Sequence, residues 1–200
     1  VIGVIDYGAG NLHSVLKAFR HIGSPACVVD RPDVIRGIDR LVLPGVGQFQ
    51  SALESMAGAG LSQEVSGWLA ANRPFMGICL GMQLLFEESE ESAVPLRGFA
   101  GFAGQVRRFR GKKSLHMGWN FLTRRESSPL FQGLDEDSRF YFVHRFYAVP
   151  ADAGAQIAGC DFQGEFAAVV QLGNIYGVQF HPEKSGEVGL QLLRNWVCSC

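Results

Sequence analysis

The sequence predicts an α/β fold, with a mostly parallel central sheet flanked by helices and additional antiparallel β segments. Three observations carry this. Strand-length apolar runs alternate with helix-period segments from the first residue onward. One buried run ends in Gly77-Ile78-Cys79-Leu80-Gly81 and passes directly into a helical pattern. From Gly98 to Gln179 the character changes to short β-rich pieces.

Val1 to Asp6 reads as a buried strand, Asn11 to Ile22 as a helix, and Ala26 to Val29 and Arg40 to Leu43 as two further strands. Leu61 to Asn72 carries helical spacing, Phe75 to Ile78 is a strand, and Leu80 to Phe86 is expected to be the helix that follows it. The β-rich pieces are Gly104 to Phe109, Met117 to Leu122, Phe140 to Val143, Gln156 to Ala158, Ala167 to Leu172 and Ile175 to Phe180. Several should be antiparallel, and some should extend the central sheet. A last helix, about Val188 to Val197, places Val188, Leu192, Leu193, Trp196 and Val197 on one stripe, as a core-facing helix requires.

Composition narrows the function class. Two hundred residues with 47% hydrophobic content fit one domain spanning 1–200, able to bury roughly 70% of its unfolded surface without disulfides or metal. The five cysteines (27, 79, 160, 198 and 200) are odd in number and lack Cys-x-x-Cys spacing. No disulfide framework, metal site or cofactor is expected, and a reducing cytoplasm suits them. The closing Cys-x-Cys reads as a frayed terminus. A net charge of −1 without a run of Lys and Arg argues against a nucleic-acid partner. No apolar stretch exceeds strand length, so no membrane span is expected.

The chemistry starts at Cys79. A strand that turns sharply into a helix pushes the residue at the turn into open space, and glycines at 77 and 81 let backbone approach backbone there. The helix N-terminus favours a thiolate by only about 0.3–1 kcal/mol, less than the ~1.4 kcal/mol of one pKa unit. A base is therefore required. His181-Pro182-Glu183 supplies a candidate: in an extended segment residues two apart share a side, so Glu183 could orient His181 toward the sulfur. A third element is Leu41-Val42-Leu43, which empties into Pro44-Gly45-Val46-Gly47. Backbone N–H groups of that turn (Gly45, Val46, Gly47), with the N–H of Leu80, could receive an oxyanion.

Gly77-Ile78-Cys79-Leu80-Gly81-Met82-Gln83 and Gly177-Val178-Gln179-Phe180-His181-Pro182-Glu183-Lys184-Ser185 resemble the two signatures of the triad-type (class I) glutamine amidotransferases. Asp6-Tyr7-Gly8-Ala9-Gly10-Asn11, Pro44-Gly45-Val46-Gly47, His116-Met117-Gly118-Trp119-Asn120 and Tyr141-Phe142-Val143-His144 narrow the resemblance to the glutaminase subunits of imidazole glycerol phosphate synthase. It implies L-glutamine as substrate, a γ-glutamyl thioester on Cys79, and release of ammonia to a separate (β/α)8 cyclase subunit of histidine biosynthesis, together forming a heterodimer. It also implies that Gln83 and Glu91 hold the substrate, supported by residues 144 to 146. Here the chain departs from the family: Arg145 and Phe146 stand where hydroxyl side chains are usual. Glu91 also reads as a solvated acid in Glu87-Glu88-Ser89-Glu90-Glu91, and His116 and His144 as hydrogen-bonded structural residues. By the same resemblance Asn11, Met117, Trp119, Tyr141 and Lys184 face the partner. Trp119 reads equally as core, and Lys184 as an unpartnered surface charge.

Three other readings compete. A dinucleotide fingerprint is suggested by Asp6-Tyr7-Gly8-Ala9-Gly10 and Asp30, but His13 occupies the third glycine position. A stand-alone cysteine hydrolase of the same fold would need no partner. A paralogous glutaminase would feed ammonia to another acceptor, such as a nucleotide sugar.

Overall fold

The computed structural model describes residues 1–91, 96–111 and 114–199; Cys200 lies outside the described residues. The first half of the chain runs β1 (Ile2–Ile5), α1 (Leu12–His21), β2 (Ala26–Val29), β3 (Arg40–Gly45), α2 (Phe49–Gly58), α3 (Leu61–Ala70), β4 (Phe75–Cys79) and α4 (Leu80–Gln83). There follow β5 (Phe86–Ser89), β6 (Leu96–Arg97), β7 (Phe102–Arg108), β8 (His116–Phe121), β9 (Thr123–Arg124), β10 (Arg139–His144) and β11 (Phe146–Pro150). The last elements are β12 (Gln156–Asp161), β13 (Glu165–Leu172), β14 (Ile175–Val178) and α5 (Gly186–Ser199).

The large sheet is ordered β2-β1-β3-β4-β14-β13-β11-β7-β5-β6, with β12 beside β13 and β9 beside β12. Its first five strands are parallel, and β13, β11 and β7 continue it antiparallel. Strands buried on both faces explain the continuous apolar runs of β1, β3 and β4. Alternate residues divide between two cores. Val42, Met76 and Ile78 pack with Val15 and Phe19 of α1 and Leu192, Leu193 and Trp196 of α5. Leu41, Leu43 and Phe75 pack with Phe49 and Met56 of α2 and Leu61, Val65 and Trp68 of α3. The expected stripe of α5 is thus core: Leu192, Leu193 and Trp196 are buried, with Val188 and Val197 packed at its margin. A separate antiparallel ribbon, β8 with β10, lies beside the large sheet.

Two expectations are corrected. The helix after Cys79 stops at Gln83 instead of continuing to Phe86. Phe99 N–H donates to Leu84 O at 2.7 Å and Phe102 N–H to Leu85 O at 3.0 Å, so the incoming strand segment takes the carbonyls at the helix end. Gly98 permits that approach, since a Cβ there would fall on the carbonyl oxygens of Leu84 and Phe86. Second, α2 occupies a stretch with no expected element. Its fully buried positions are few, Phe49, Ala52 and Met56, and its first N–H is satisfied from a distance, Phe49 N donating to Glu91 Oε2 at 2.6 Å. A tertiary cap of this kind replaces the local Ser, Thr, Asn or Asp that marks helix starts in sequence.

Candidate active site

Parallel pairing assembles the site. β4 lies between β3 and β14, with Gly45 opposite Cys79 on one side and Val178 opposite Ile78 on the other. The segments that follow β3, β4 and β14 therefore emerge at one edge, the carboxyl ends of the parallel strands, where open α/β sheets place their ligands. The sequence interval between Cys79 and His181 is closed by this register.

Cys79 has φ 55° and ψ −110°, a sparsely populated conformation that costs on the order of 1–3 kcal/mol in a non-glycine residue. The surroundings hold it there. A Cβ on Gly77 would come 2.6 Å from Gly81 O, one on Gly45 would come 2.8 Å from Gly81 N, and one on Gly81 would fall on Leu43 O. Because α4 is a single turn, its field on the sulfur is smaller than a full helix would give. The burden falls on His181.

His181 is extended (φ −103°, ψ 95°), as the residue before a proline should be, and its N–H donates to Tyr141 O at 2.9 Å. Glu183 reaches it differently from the expected extended alternation. Pro182–Lys184 forms a 3₁₀ turn, and the turn brings Glu183 Oε1 to 2.8 Å from His181 Nδ1. Lys184 N–H and Ser185 Oγ both donate to His181 O, at 3.0 and 2.6 Å, which fixes the turn. Since the carboxylate can only accept, Nδ1 carries the hydrogen and Nε2 is left for the sulfur. Burial alone would lower the His181 pKa, but the charges of Cys79 and Glu183 outweigh it and raise it to about 10. Nε2 is buried and has no hydrogen-bond partner among the described residues. The imidazole and Cys79 are therefore electrostatically coupled but loosely aligned at rest, as in many unliganded catalytic pairs.

A cleft of about 620 Å³ opens over Cys79. Val46, Gly47 and Leu80 line it, as do Gln83, Glu91, His144, Arg145 and Phe146. Gly45 does not: it packs beneath the elbow against Gly81 and Leu80. Gly47 has φ 98°, which glycine adopts without cost. Glu91 is half-buried at the N-terminus of α2, and burial raises its pKa despite the Phe49 N–H it accepts; it is not the fully solvated acid of the alternative reading. The Arg145 guanidinium, at the rim, donates to Ser114 Oγ at 3.2 Å.

His116 and His144 form a buried pair. His144 Nδ1 lies 2.8 Å from Phe146 O, His116 Nδ1 lies 3.0 Å from His144 Nε2, and Asn120 Nδ2 lies 3.2 Å from His116 Nε2. One assignment satisfies every contact, with both rings neutral and donating through Nδ1. Burial favours that state, lowering His116 to about 4 and, with His116 and His181 nearby, His144 to about 3.

On the ribbon, Met117, Trp119 and Phe121 alternate outward and are exposed, Trp119 at 55%. That removes the core reading of Trp119. Trp119 pairs with Tyr141 in register, the rings 5.9 Å apart. The Pro182–Lys184 turn packs against both α1, whose N-cap is Asn11, and β10, which carries Tyr141; Lys184 is exposed. The sequence pattern by itself assigns no role to Tyr7, Gln179 or Phe121. Tyr7 is buried beside Gly45, and burial and the nearby Cys79 charge raise it to about 12. Its position at the end of β1, one strand from β3, was the available signal.

The family described as glutamine amidotransferase class-I matches residues 3–200. Two similar proteins, each named imidazole glycerol phosphate synthase subunit HisH, come from Methanothermobacter thermautotrophicus (46% identical, 98% of each chain covered) and Syntrophotalea carbinolica (44% identical, 98% of each chain covered). Among solved structures, a glutamine amidotransferase superposes with TM-score 0.75 at 20% identity, covering 98% of this chain and 97% of the other. PurLQS from Thermotoga maritima superposes with TM-score 0.73 at 20% identity and the same coverage.

Proposed function

The chain belongs to the class I glutamine amidotransferase family, and on that premise we infer that it hydrolyses L-glutamine to glutamate and ammonia. The ammonia passes to a (β/α)8 cyclase subunit, its heterodimer partner, which makes imidazole glycerol phosphate and the purine precursor AICAR in histidine biosynthesis. The observation that carries the chemistry is the strained elbow cysteine on the cleft wall, together with a buried imidazole held by Glu183 at 2.8 Å.

In this reading Cys79 gives its proton to His181 Nε2, and the sulfur forms a bond to the carboxamide carbon of glutamine. The carbonyl oxygen becomes an oxyanion, received by the N–H of Leu80 and by backbone N–H groups at Val46 and Gly47, all on the cleft wall. His181 returns the proton to the leaving amide nitrogen, which departs as ammonia and leaves a γ-glutamyl thioester. Water then attacks with His181 as base, releasing glutamate and restoring the thiol. Glu91, a carboxylate on the wall, meets the substrate ammonium; Arg145 and Arg108, on the same wall, provide cations for its α-carboxylate. The reaction requires no cofactor and no metal. A reducing cytoplasm suits a nucleophile that must remain a thiol, and among the described residues no helix is long and apolar enough to cross a membrane.

For docking, the exposed Met117, Trp119 and Phe121, with Tyr141 beside Trp119, form an apolar face of the kind that supplies interface anchors. Asn11 and Lys184 complete the partner-facing set. The test measures glutamate release from glutamine with the cyclase subunit and its phosphorylated acceptor present. Cys79→Ala should abolish release, and Trp119→Ala should weaken subunit association roughly 30-fold. Release undiminished in Cys79→Ala would reject the nucleophile.

A further inference from the structure

We propose that Gln179 positions and polarises the nucleophile, donating a hydrogen bond from its Nε2 to the Cys79 sulfur in an orientation dictated through Gln83 from the backbone carbonyl of Phe146. The inference rests on Cys79 being the nucleophile, and it adds a residue that no part of the triad includes.

The orientation follows from what each atom can do. Phe146 O can only accept, and Gln83 Nε2 lies 2.9 Å from it. The same Nε2 lies 3.0 Å from the Gln179 side chain, so the Gln179 atom facing it must be Oε1. That turns Gln179 Nε2 the other way, toward Cys79 Sγ at 3.7 Å. Reversing Gln179 would oppose two NH2 groups and set an oxygen against the sulfur. Phe146 O is itself held by His144, which is held in turn by His116 and Asn120. Gln179 is completely buried, and its own N–H is tied to Ala168 O at 2.9 Å. The side chain is therefore held at both its Oε1 and its Nε2.

The sulfur thus has a fixed donor in Gln179 and, in its thiol form, an acceptor for its hydrogen in Val143 O, 3.9 Å away. When the S–H bond breaks and the proton moves to His181 Nε2, the electron pair remains on sulfur, and the Gln179 N–H is already directed at it. A donated hydrogen bond is stronger to the thiolate than to the thiol, so it favours ionisation and keeps the sulfur aimed into the cleft. Gln179 does not line the cleft, so it should act on the chemical step and not on substrate affinity.

The test compares wild type, Gln179→Met and Gln179→Glu as complexes with the cyclase subunit. Methionine keeps length and bulk but has no N–H; glutamate replaces the donor with a charged acceptor. We expect Gln179→Met to lower kcat about tenfold with KM unchanged. The rate of iodoacetamide modification at Cys79, followed on its peptide by mass spectrometry, should fall by a similar factor. Gln179→Glu should be slower than Gln179→Met on both measures, an order that loss of packing alone would not produce. A Met variant within twofold of wild type on both, or a Glu variant as fast as the Met variant, would overturn the inference. Wild type that neither hydrolyses glutamine nor is modified at Cys79 would overturn the nucleophile reading itself, and this inference with it.

Discussion

Glu183→Gln isolates one charge in the site. The substitution preserves shape and leaves an oxygen able to accept from His181 Nδ1, now 2.8 Å from the carboxylate, so the imidazole should keep its orientation. What disappears is the negative charge that stabilises the ring when it holds the cysteine proton. Both side chains are buried, His181 at 2% exposure and Glu183 at 1%. At an effective dielectric of about 20 and a charge separation of about 4 Å, the lost attraction is at most ~4 kcal/mol. The difference between a charge-assisted and a neutral hydrogen bond sets a lower figure of about 1–2 kcal/mol. A loss of about 1–4 kcal/mol corresponds to a fall in kcat of roughly 5-fold to 10³-fold. KM should not change, because Glu183 does not line the cleft. Folding stability should also survive: among the described residues Glu183 Oε2 is buried without a hydrogen bond, and removing a carboxylate whose burial is only half compensated costs little. The assay is steady-state glutamate release in the presence of the cyclase and acceptor, with thermal unfolding of the same preparations. A variant within threefold of wild type in kcat would show that the carboxylate charge does not matter to the imidazole.

Two further outcomes test the frame around the site. Gly81→Ala places a Cβ on the Leu43 carbonyl oxygen; with only backbone to yield, the cost should be about 3 kcal/mol and a fall in Tm of roughly 10 °C, checked by calorimetry, whereas a shift under 2 °C would mean that the elbow and β3 are not tightly apposed. His116 and His144 should remain neutral between pH 5 and 8, visible as imidazole signals that do not titrate by NMR, because their folded values lie near 4 and 3. Both values are depressed, so the unfolded chain binds protons that the folded chain refuses. Stability should therefore fall as pH drops below about 6.5, by up to about 1.4 kcal/mol per pH unit for the deeply buried His144, down to its folded value.

The central strands were legible because burial on both faces leaves uninterrupted apolar runs, and α5 because its stripe repeats at helical spacing. The elbow was legible because only glycine fits where backbone meets backbone. The end of α4 was not, since it depends on carbonyls of Leu84 and Leu85 accepting from Phe99 and Phe102, and nothing local in Leu80 to Phe86 announces that. α2 was invisible for the related reason that its cap, Glu91, lies 42 residues away along the chain.

By itself the sequence determined which groups are the candidates for the chemistry: a cysteine at a strand-to-helix turn, a histidine held extended by the following proline, and a carboxylate two residues on. These are properties of residue type and short-range backbone preference. Only the tertiary structure decided how they meet: that Glu183 reaches its histidine through a 3₁₀ turn, that Gly45 supports the elbow while Gly47 faces the cleft, that Trp119 points outward, and that Gln179 is turned toward the sulfur. Each of those depends on strand register and on which acceptor sits opposite which donor, and such pairings exist only once distant segments have packed.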